Sequence, residues 1–199
     1  MSLQKSTHSE GVECSSCEQN PIVGAKYVCC GCTKVFCEGC ELKNLCGSNC
    51  EIGDLDIVAR MDRLCDELGL DTIETGGAIG MAMEAGQLEW GDGEGALALM
   101  EKIDKGDELA EAVGRGVCAV AKMFDIDRVP AIRGQGIPAW EPRSLNATGV
   151  TYATSSMGAD HTAGLLIMVP EGLSEAHASQ EAQLVNALCD SSGFCQFQQ

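Results

Sequence analysis

Apolar residues recur every three or four positions between Leu55 and Leu68, a spacing that places them on one face of a helix. Asp54 precedes this run, where an aspartate commonly caps a helix start. Gly69 follows it, where a glycine commonly ends a helix. The pattern therefore predicts a helix between Asp54 and Gly69, with Asp71 in the loop just beyond it.

Other stretches farther along the chain also have helical patterns. Ser174 predicts the start of a helix that runs to about Asp190, and Gly193 predicts the break after it. Three Ala- and Gly-rich stretches, GGAIGMAMEAGQL, GEGALALMEKI and DELAEAVGRGVCAVAKMF, predict closely packed helices. The stretch VPAIRGQGIPAWEPR predicts an extended loop because prolines interrupt it, and GVTYATSSMGADHTAG is rich in small polar residues.

Composition divides the chain into three segments. Residues 1–13 are polar and predict a flexible N-terminus, whereas residues 14–52 hold nine of the thirteen cysteines and predict a metal-binding segment. Within that segment, AKYVCCGCTKVF predicts a β-hairpin around a glycine turn. Residues 53–199 form the predicted helical body, because an aromatic content of only 4% favours a core of packed helices. We therefore predict a mainly α fold with a small Cys-rich β-hairpin lobe at its N-terminus.

The chain is strongly acidic, with a formal net charge of -17. Such a surface repels the phosphates of nucleic acids and of anionic lipids, so neither is an expected partner. No run approaches the ~18 apolar residues of a membrane span, and the N-terminus has no apolar signal core. The sequence thus predicts a cytoplasmic protein whose cysteines are metal ligands, reactive thiols or core residues rather than disulfides.

A six-residue frame, Asp-x-x-Gly-apolar-x, occurs twice, as DELGLD at 66–71 and as DSSGFC at 190–195. Each copy ends a predicted helix with a glycine turn, where backbone groups without helical partners can meet a ligand. The last place holds a carboxylate in the first copy, Asp71, and a thiol in the second, Cys195. Two ordinary glycine C-caps would give the same pattern by chance, and the residues alone leave both interpretations open.

The cysteine spacing near the N-terminus indicates a metal site. Cys14-x-x-Cys17 and Cys37-x-x-Cys40 are nineteen residues apart, which is within the range of structural zinc sites. Four thiolates in two such pairs form a tetrahedral site that zinc or a single iron can fill. The same cysteines are also compatible with an iron–sulfur cluster or with reduced core thiols. Three cysteines on apolar helix faces are predicted to be core residues: Cys65, Cys118 and Cys189.

Several blocks of the sequence, in the same order, resemble the aldehyde ferredoxin oxidoreductase family of tungsten–pterin enzymes. The blocks are LCGSNCEIGDLDIVARMDRLCDELGLDTIETGGAIGMAMEAG, WGDGEGALALMEKI, GQGIPAWEPR, YATSSMGADHTAG and LCDSSGFC, which cover most of residues 38–195. The resemblance implies a helical body similar to domains 2 and 3 of these enzymes. It also implies oxidation of aldehydes to carboxylates at a tungsten or molybdenum bispterin. Electrons would then leave through a 4Fe-4S cluster to ferredoxin or another redox protein.

The resemblance assigns the two glycine turns to the two pterins of the cofactor. It implies that the thiol of the second turn, Cys195, ligates the cluster. The implied ligands are Asp66, Gly69, Leu70 and Asp71 for one pterin, and Asp190, Gly193 and Phe194 for the other.

The family pattern Cys-x-x-Cys-x-x-x-Cys implies the remaining cluster ligands. Cys14 and Cys17 match the first two places, whereas Pro21 occupies the third. The third ligand is therefore expected elsewhere in the Cys-rich segment. The candidates are Cys29, Cys30 and Cys32.

Two residues match the family's active site. A lone histidine such as His161 is by itself typical of a hydrogen-bonded structural residue, but GADHT around it matches the family's active-site histidine region. The family's acidic motif reads GCELK in this chain and retains Glu41. The resemblance implies that Glu41 accepts a proton during attack by water and that His161 polarises the substrate carbonyl.

The family's N-terminal β-rich domain, which forms the base under the bispterin, and its C-terminal part are expected to be missing from this sequence. A further subunit is then expected to supply the pterin-base domain, and its basic residues would offset the acidic surface. A second hypothesis is a non-catalytic iron–sulfur or zinc protein, derived from the family, that transfers electrons or serves as a scaffold.

Overall fold

The computed structural model describes residues 45–193 in full, together with the backbone of three strands that precede them. These strands are β1 (Leu3–Ser6), β2 (Lys26–Cys29) and β3 (Val35–Cys37), and they form one antiparallel sheet in the order β1-β2-β3. The pairing of β2 with β3, in which Tyr27 stands opposite Phe36, confirms the predicted hairpin. β1 pairs with β2 in a stretch for which the sequence predicts no element.

Seven α-helices are the main regular structure in the described part of the chain, which confirms the predicted mainly α fold. They are α1 (Leu55–Leu68), α2 (Thr72–Glu84), α3 (Gly93–Met100), α4 (Glu108–Gly114), α5 (Val117–Met123), α6 (Asn146–Thr154) and α7 (Glu175–Ser192). The same region contains a hairpin of β4 (Ala131–Ile132) and β5 (Gln135–Gly136), and 3₁₀ turns at Ser48–Cys50 and His161–Ala163. In residues 45–193 no helix is both long and apolar enough to cross a membrane.

The predicted ends of α1 and α7 are confirmed by their caps. The Asp54 carboxylate accepts backbone N–H groups of the first turn of α1 at 2.9 and 3.3 Å. The Ser174 hydroxyl accepts one from the first turn of α7 at 3.2 Å. Gly69 and Gly193 end these helices with φ of 69° and 71°, a left-handed conformation that favours glycine. These ends were predictable because capping depends on residues close together in sequence.

Helix α2 lies at the centre of the fold, and eight of its thirteen residues are buried. It contacts α1, α4, α5, β5 and the first 3₁₀ turn. A Cβ at Gly76 would lie 2.6 Å from the carbonyl carbon of Leu45. The absence of a side chain at this position therefore lets the backbone near Leu45 approach the helix closely.

Helices α6 and α7 and the second 3₁₀ turn form another packed group. Thr151 of α6 and Ser179 of α7 share a hydrogen bond of 2.7 Å between their buried hydroxyls. Along α7, only Ala178 and Ser179 are buried, whereas Leu184 and Leu188 are 65% and 68% exposed. The first half of α7 therefore supplies its buried contacts.

The stretch DELAEAVGRGVCAVAKMF forms two helices, α4 and α5, where the pattern predicts one. Gly116 separates them with φ of 97°, a backbone conformation that other residues rarely adopt and that interrupts a helix. A Cβ at Gly116 would also collide with the Glu74 carboxylate. The apolar period continues across the break, which is why the sequence pattern does not reveal it.

The β4–β5 hairpin and helix α6 also occur where the sequence predicts no regular element. The β4–β5 hairpin turns at Arg133 and Gly134, whose φ values of 55° and 84° are the positive pair of a type I′ turn. Helix α6 begins after Leu145 without a side-chain cap. It is stabilised by the hydrogen bond between Thr151 and α7 rather than by local signals.

Candidate functional site

A cavity of about 190 Å³ lies at the start of α2. Its wall brings together the first Asp-x-x-Gly turn, the segment that includes β5, and the second 3₁₀ turn, which are far apart in the sequence. Two of the predicted site residues, Asp71 and His161, meet in this cavity. The lining residues are Asp71, Ile73, Glu74, Gln135, Pro138, Ala159, Asp160, His161 and Thr162.

Asp71 caps α2, which begins directly after it, so it does not lie in a free loop. Its Oδ1 accepts the backbone N–H of Glu74 at 2.7 Å, and the partial positive charge of the helix start stabilises this carboxylate. Because the cap uses Oδ1, an external hydrogen-bond donor would be bound through Oδ2. The Asp71–Glu74 spacing resembles that of a capping box, a signal that could have identified this cap from the sequence.

Glu74 is a residue of the cavity wall that the sequence analysis missed. Its Oε1 accepts the N–H of Val117 at 2.8 Å, and its Oε2 accepts the N–H of Gly136 at 2.7 Å. One carboxylate therefore joins the start of α2 to the start of α5 and to β5. The long sequence separation of these partners explains why no local pattern indicates this role.

Asp160 shapes the opposite wall of the cavity. Its Oδ1 accepts hydrogen bonds from the backbone N–H of Thr162 at 2.8 Å and from the Thr162 hydroxyl at 2.7 Å. These bonds cap the 3₁₀ turn that contains His161. The cap fixes the backbone from which the His161 side chain reaches the cavity.

His161 lies next to Trp140, with 6.5 Å between the ring centroids. The Tyr152 hydroxyl donates a hydrogen bond to the Trp140 carbonyl oxygen at 3.0 Å. Burial lowers the pKa of His161, and the nearby charges of Asp160 and Asp71 oppose that shift only in part. The imidazole is therefore neutral near pH 7, with one nitrogen able to donate a hydrogen bond and the other able to accept one.

The lowered pKa of His161 predicts a dependence of stability on pH. Below the ordinary value of 6.5, the unfolded chain binds a proton at this residue more readily than the folded chain does. The free energy of unfolding should therefore fall as the pH falls from 6.5 toward the lowered pKa. Urea denaturation at a series of pH values measures this slope.

The matched variants for this measurement are His161→Asn and His177→Asn. The first should flatten the slope that the buried imidazole causes, whereas the second changes an exposed histidine of α7 and should preserve it. An NMR titration that gives His161 a pKa above 6.5 would contradict the prediction.

Comparison with known proteins identifies the family. Residues 3–199 match the family model described as "Aldehyde ferredoxin oxidoreductase, domains 2 & 3". The chain belongs to the aldehyde ferredoxin oxidoreductase family. This match confirms the resemblance inferred from the sequence blocks, and the helical body agrees with it.

Curated relatives support the same assignment. The chain is 29% identical to the tungsten-containing aldehyde ferredoxin oxidoreductase of Pyrococcus furiosus over 76% of its own length and 29% of that protein's. The corresponding protein of Thermococcus kodakarensis is 29% identical over 80% of this chain and 31% of its own length. An aliphatic sulfonate oxidoreductase, WOR-like subunit, of Pyrococcus furiosus is 31% identical over 79% of this chain and 27% of its own length. The matched region thus spans less than a third of each relative.

The two Asp-x-x-Gly turns of this family member have the same backbone geometry. The N–H of Gly69 donates to the Asp66 carbonyl oxygen at 3.4 Å, and the N–H of Gly193 donates to that of Asp190 at 3.2 Å. Asp66 and Asp190 are both exposed at these helix ends. Leu70 points elsewhere and lines a separate cavity of about 370 Å³. The structure therefore places Asp71, but not Leu70, in the cavity with His161.

Several predicted site residues lie outside the described part of the chain. For Cys29 and Cys37, only the strand backbone is described. Within residues 45–193, no group of three or more His, Cys, Asp or Glu side chains is arranged to hold a metal ion. The predicted site residues that lie outside the described residues are Glu41, Phe194, Cys14, Cys17, Cys30, Cys32, Cys40 and Cys195.

The three cysteines predicted to be core residues differ in their burial. Cys65 is buried as predicted, and Cys189 is partly buried. The prediction for Cys118 is wrong, because this residue lies on the exposed side of α5. The short helix α5 buries Val117, Val120 and Ala121 instead.

The carboxylates of the first turn should differ in their contribution to stability. Asp66→Ala should change the free energy of unfolding by about 0.5 kcal/mol or less, because the side chain is exposed. Asp71→Ala should cost about 1 kcal/mol, because it removes the N-cap of α2. Urea denaturation of the two variants tests the difference. Equal losses would show that Asp66 also has a structural role.

Proposed function

We propose that this family member is the cofactor- and cluster-binding part of an enzyme that oxidises aldehydes to carboxylates. The observation that carries the proposal is the cavity at the start of α2. There the first glycine turn, through Asp71, meets a neutral His161 on a turn from a distant part of the sequence. The names of the relatives associate tungsten with two of those proteins.

The residues of the first turn fit a pterin. A pterin ring carries amino and ring N–H groups, and carboxylates accept such donors in charge-assisted hydrogen bonds. Asp71 offers Oδ2 and Asp66 is exposed beside Gly69, where the missing side chain lets a ligand approach the backbone. We therefore assign one pterin to Asp66, Gly69 and Asp71, without Leu70, whose side chain lines the other cavity, and the second pterin to Asp190, Gly193 and Phe194.

The acidic charge of the chain predicts the chemistry of its partner. A net charge of -17 opposes the binding of a cofactor that carries phosphate groups. A subunit with a basic surface beneath the bispterin would supply the missing positive charge. That subunit and an electron acceptor, ferredoxin or another redox protein, are the partners proposed.

The residues of this chain contribute binding, polarisation and proton transfer to the reaction. Conversion of an aldehyde to a carboxylate consumes water and releases protons and two electrons. A tungsten or molybdenum bispterin, when bound, would accept those electrons, and a 4Fe-4S cluster would pass them on singly. His161 would donate a hydrogen bond to the substrate carbonyl oxygen, which makes the carbon more electrophilic. Glu41 would accept a proton from the attacking water.

The cluster ligands proposed are Cys14, Cys17 and Cys195, with a further ligand from Cys29, Cys30 or Cys32. A structural zinc or single-iron site is the second candidate. The spacing of Cys14, Cys17, Cys37 and Cys40 favours it, because two Cys-x-x-Cys pairs suit a tetrahedral metal.

Metal analysis of the full chain, purified without oxygen, distinguishes these candidates. We expect iron with acid-labile sulfide, and Cys195→Ser should lower both together with the visible absorption of the cluster. Cys189→Ser is the matched control on the preceding helix and should leave them unchanged. Stoichiometric zinc without labile sulfide would reject the cluster and favour the zinc site.

The proposed reaction has its own test. With tungsten or molybdenum and the partner subunit present, His161→Asn should reduce aldehyde-dependent reduction of a viologen dye by about 100-fold or more. His177→Asn, the exposed control, should retain the activity. Equal activity in both variants would remove His161 from the proposed mechanism.

A further inference from the structure

Helix α7 carries three large apolar side chains on the side that faces away from the fold. Leu184 and Leu188 are 65% and 68% exposed, and Val185 is 49% exposed. Because successive residues of a helix are rotated by about 100°, these three positions fall on one face, which we call the outer face of α7. The proposed function uses none of them.

The opposite face of α7 packs against α6 through small and polar side chains. Ser179, which is 1% exposed, shares a hydrogen bond of 2.7 Å with the Thr151 hydroxyl. The Gln183 side-chain nitrogen donates to the hydroxyls of Ser179 and Thr154, both at 3.0 Å. This arrangement is the reverse of the usual amphipathic helix, whose apolar residues face the core.

The reversed pattern indicates that the outer face binds another protein segment. Apolar residues scattered singly over a surface are common, whereas a contiguous exposed group marks an interaction site. The outer-face residues are neighbours on the helix surface, because Leu184 and Leu188 are four positions apart and Val185 lies beside them. A second amphipathic helix, packed along α7, would cover all three side chains.

The charge of α7 indicates which kind of helix would bind. Helix α7 contains no Lys or Arg, and the exposed Glu181 lies on the outer face, one turn before Leu184 and Val185. Within the described residues, the ion pairs formed by other carboxylates do not include Glu181. Basic side chains beside the apolar face of the bound helix would complement this carboxylate.

A second copy of the chain lacks this complementarity. Pairing two α7 helices would bring together two elements without Lys or Arg, on chains that each carry a net charge of -17. Like charges across an interface oppose association. The charge therefore favours a different protein over a homodimer formed through this face.

We propose that the outer face of α7 is the docking site for an amphipathic helix of a partner protein, whose apolar face is flanked by Lys or Arg. Leu184, Val185 and Leu188 pack against the apolar face of that helix, and Glu181 pairs with one of its basic side chains. The inference does not depend on the bispterin, the cluster or aldehyde oxidation, so its failure would leave the proposed function untouched.

A model peptide of Leu and Lys, arranged as an amphipathic helix, is the probe for this site. The same peptide with Glu in place of every Lys is its control. Fluorescence anisotropy of the labelled peptides, titrated with the full chain, measures both affinities. We expect the Lys peptide to bind about 10-fold or more tightly than the Glu peptide, because the charge of the second opposes binding. Equal affinities overturn the proposal.

Two double variants locate the binding site without changing the charge. Leu184→Ser with Leu188→Ser should weaken binding of the Lys peptide by about 10-fold or more, since it removes two apolar contacts. Ile167→Ser with Met168→Ser removes another exposed apolar pair, 60% and 82% exposed, and should retain the affinity. Circular dichroism checks that both variants fold. Equal affinities of the two variants overturn the docking site.

Two single variants separate the local charge from the overall charge. Glu181→Gln should weaken binding of the Lys peptide by about 3-fold, as expected for an exposed ion pair. Glu171→Gln changes an exposed carboxylate that precedes α7 and should have a smaller effect. Equal effects would overturn the pairing of Glu181. Sedimentation equilibrium completes the test, because a dimer that the Leu184→Ser and Leu188→Ser variant abolishes would assign this face to a second copy and overturn the proposal.

Discussion

Glu74→Ala is expected to lower the free energy of unfolding by about 3 kcal/mol or more, since hydrogen bonds to a charged group contribute roughly 1.5–3 kcal/mol each. The substitution removes the acceptor for the N–H groups of Val117 and Gly136, at 2.8 and 2.7 Å. It leaves both groups without their partner at the junction of α2, α5 and β5. Chemical denaturation followed by circular dichroism measures the loss.

Two variants separate this effect from a general loss of charge. Glu84→Ala removes an exposed carboxylate at the other end of α2, whose ion pair with Arg128 spans 3.4 Å, and should cost at most about 1 kcal/mol. Glu74→Gln keeps the shape and one acceptor oxygen, so it should fall between the two alanine variants. If Glu74→Ala lowers the free energy of unfolding no more than Glu84→Ala does, Glu74 does not hold α2, α5 and β5 together.

Gly76→Ala should destabilise the fold by about 2 kcal/mol, since overpacking of a tight core costs roughly 1–3 kcal/mol. The new methyl group would lie 2.6 Å from the carbonyl carbon of Leu45 and 2.7 Å from the backbone nitrogen of Cys46. Both are backbone atoms, which cannot move aside as a flexible side chain can. The higher helix propensity of alanine, about 1 kcal/mol over glycine, offsets only part of this cost.

Gly53→Ala is the matched control for Gly76→Ala. No atom lies within 4 Å of a Cβ built at Gly53, and its φ is not positive. Alanine at such a position should leave stability unchanged or raise it by about 0.4–1 kcal/mol, because it restricts the unfolded chain. Thermal unfolding followed by circular dichroism compares the variants. A Gly76→Ala protein as stable as Gly53→Ala would show that the segment near Leu45 is not held tightly against α2.

Local signals in the sequence were sufficient for some elements and insufficient for others. The ends of α1 follow from Asp54 and Gly69, which act on neighbouring backbone groups. Helix α6 has no such signal, because its composition is small and polar and its stability depends on the contact of Thr151 with α7. The break at Gly116 was missed because the apolar pattern continues through it. Both places also involve contacts with residues distant in the sequence, Thr151 with Ser179 and Gly116 with Glu74.

In the candidate site, too, local sequence signals were sufficient for some residues and insufficient for others. Asp71 and His161 were inferred from family motifs, and their meeting in one cavity depends on packing that no local pattern reports. Glu74 was missed because its partners, Val117 and Gly136, become neighbours only in the folded chain. A carboxylate three residues after an N-cap suggests a local capping role, and only the fold shows that it joins three elements.

The uneven burial of α7 has a consequence for the second glycine turn. Amides near the buried Ser179 should be better protected than amides near the exposed Leu184 and Leu188, which can exchange with solvent when the helix opens locally. Amide hydrogen exchange should therefore quicken along α7 toward Gly193. A metal bound at Cys195 would raise the free energy of that local opening, so slower exchange in the last turn of α7 would report ligation even where absorption is weak.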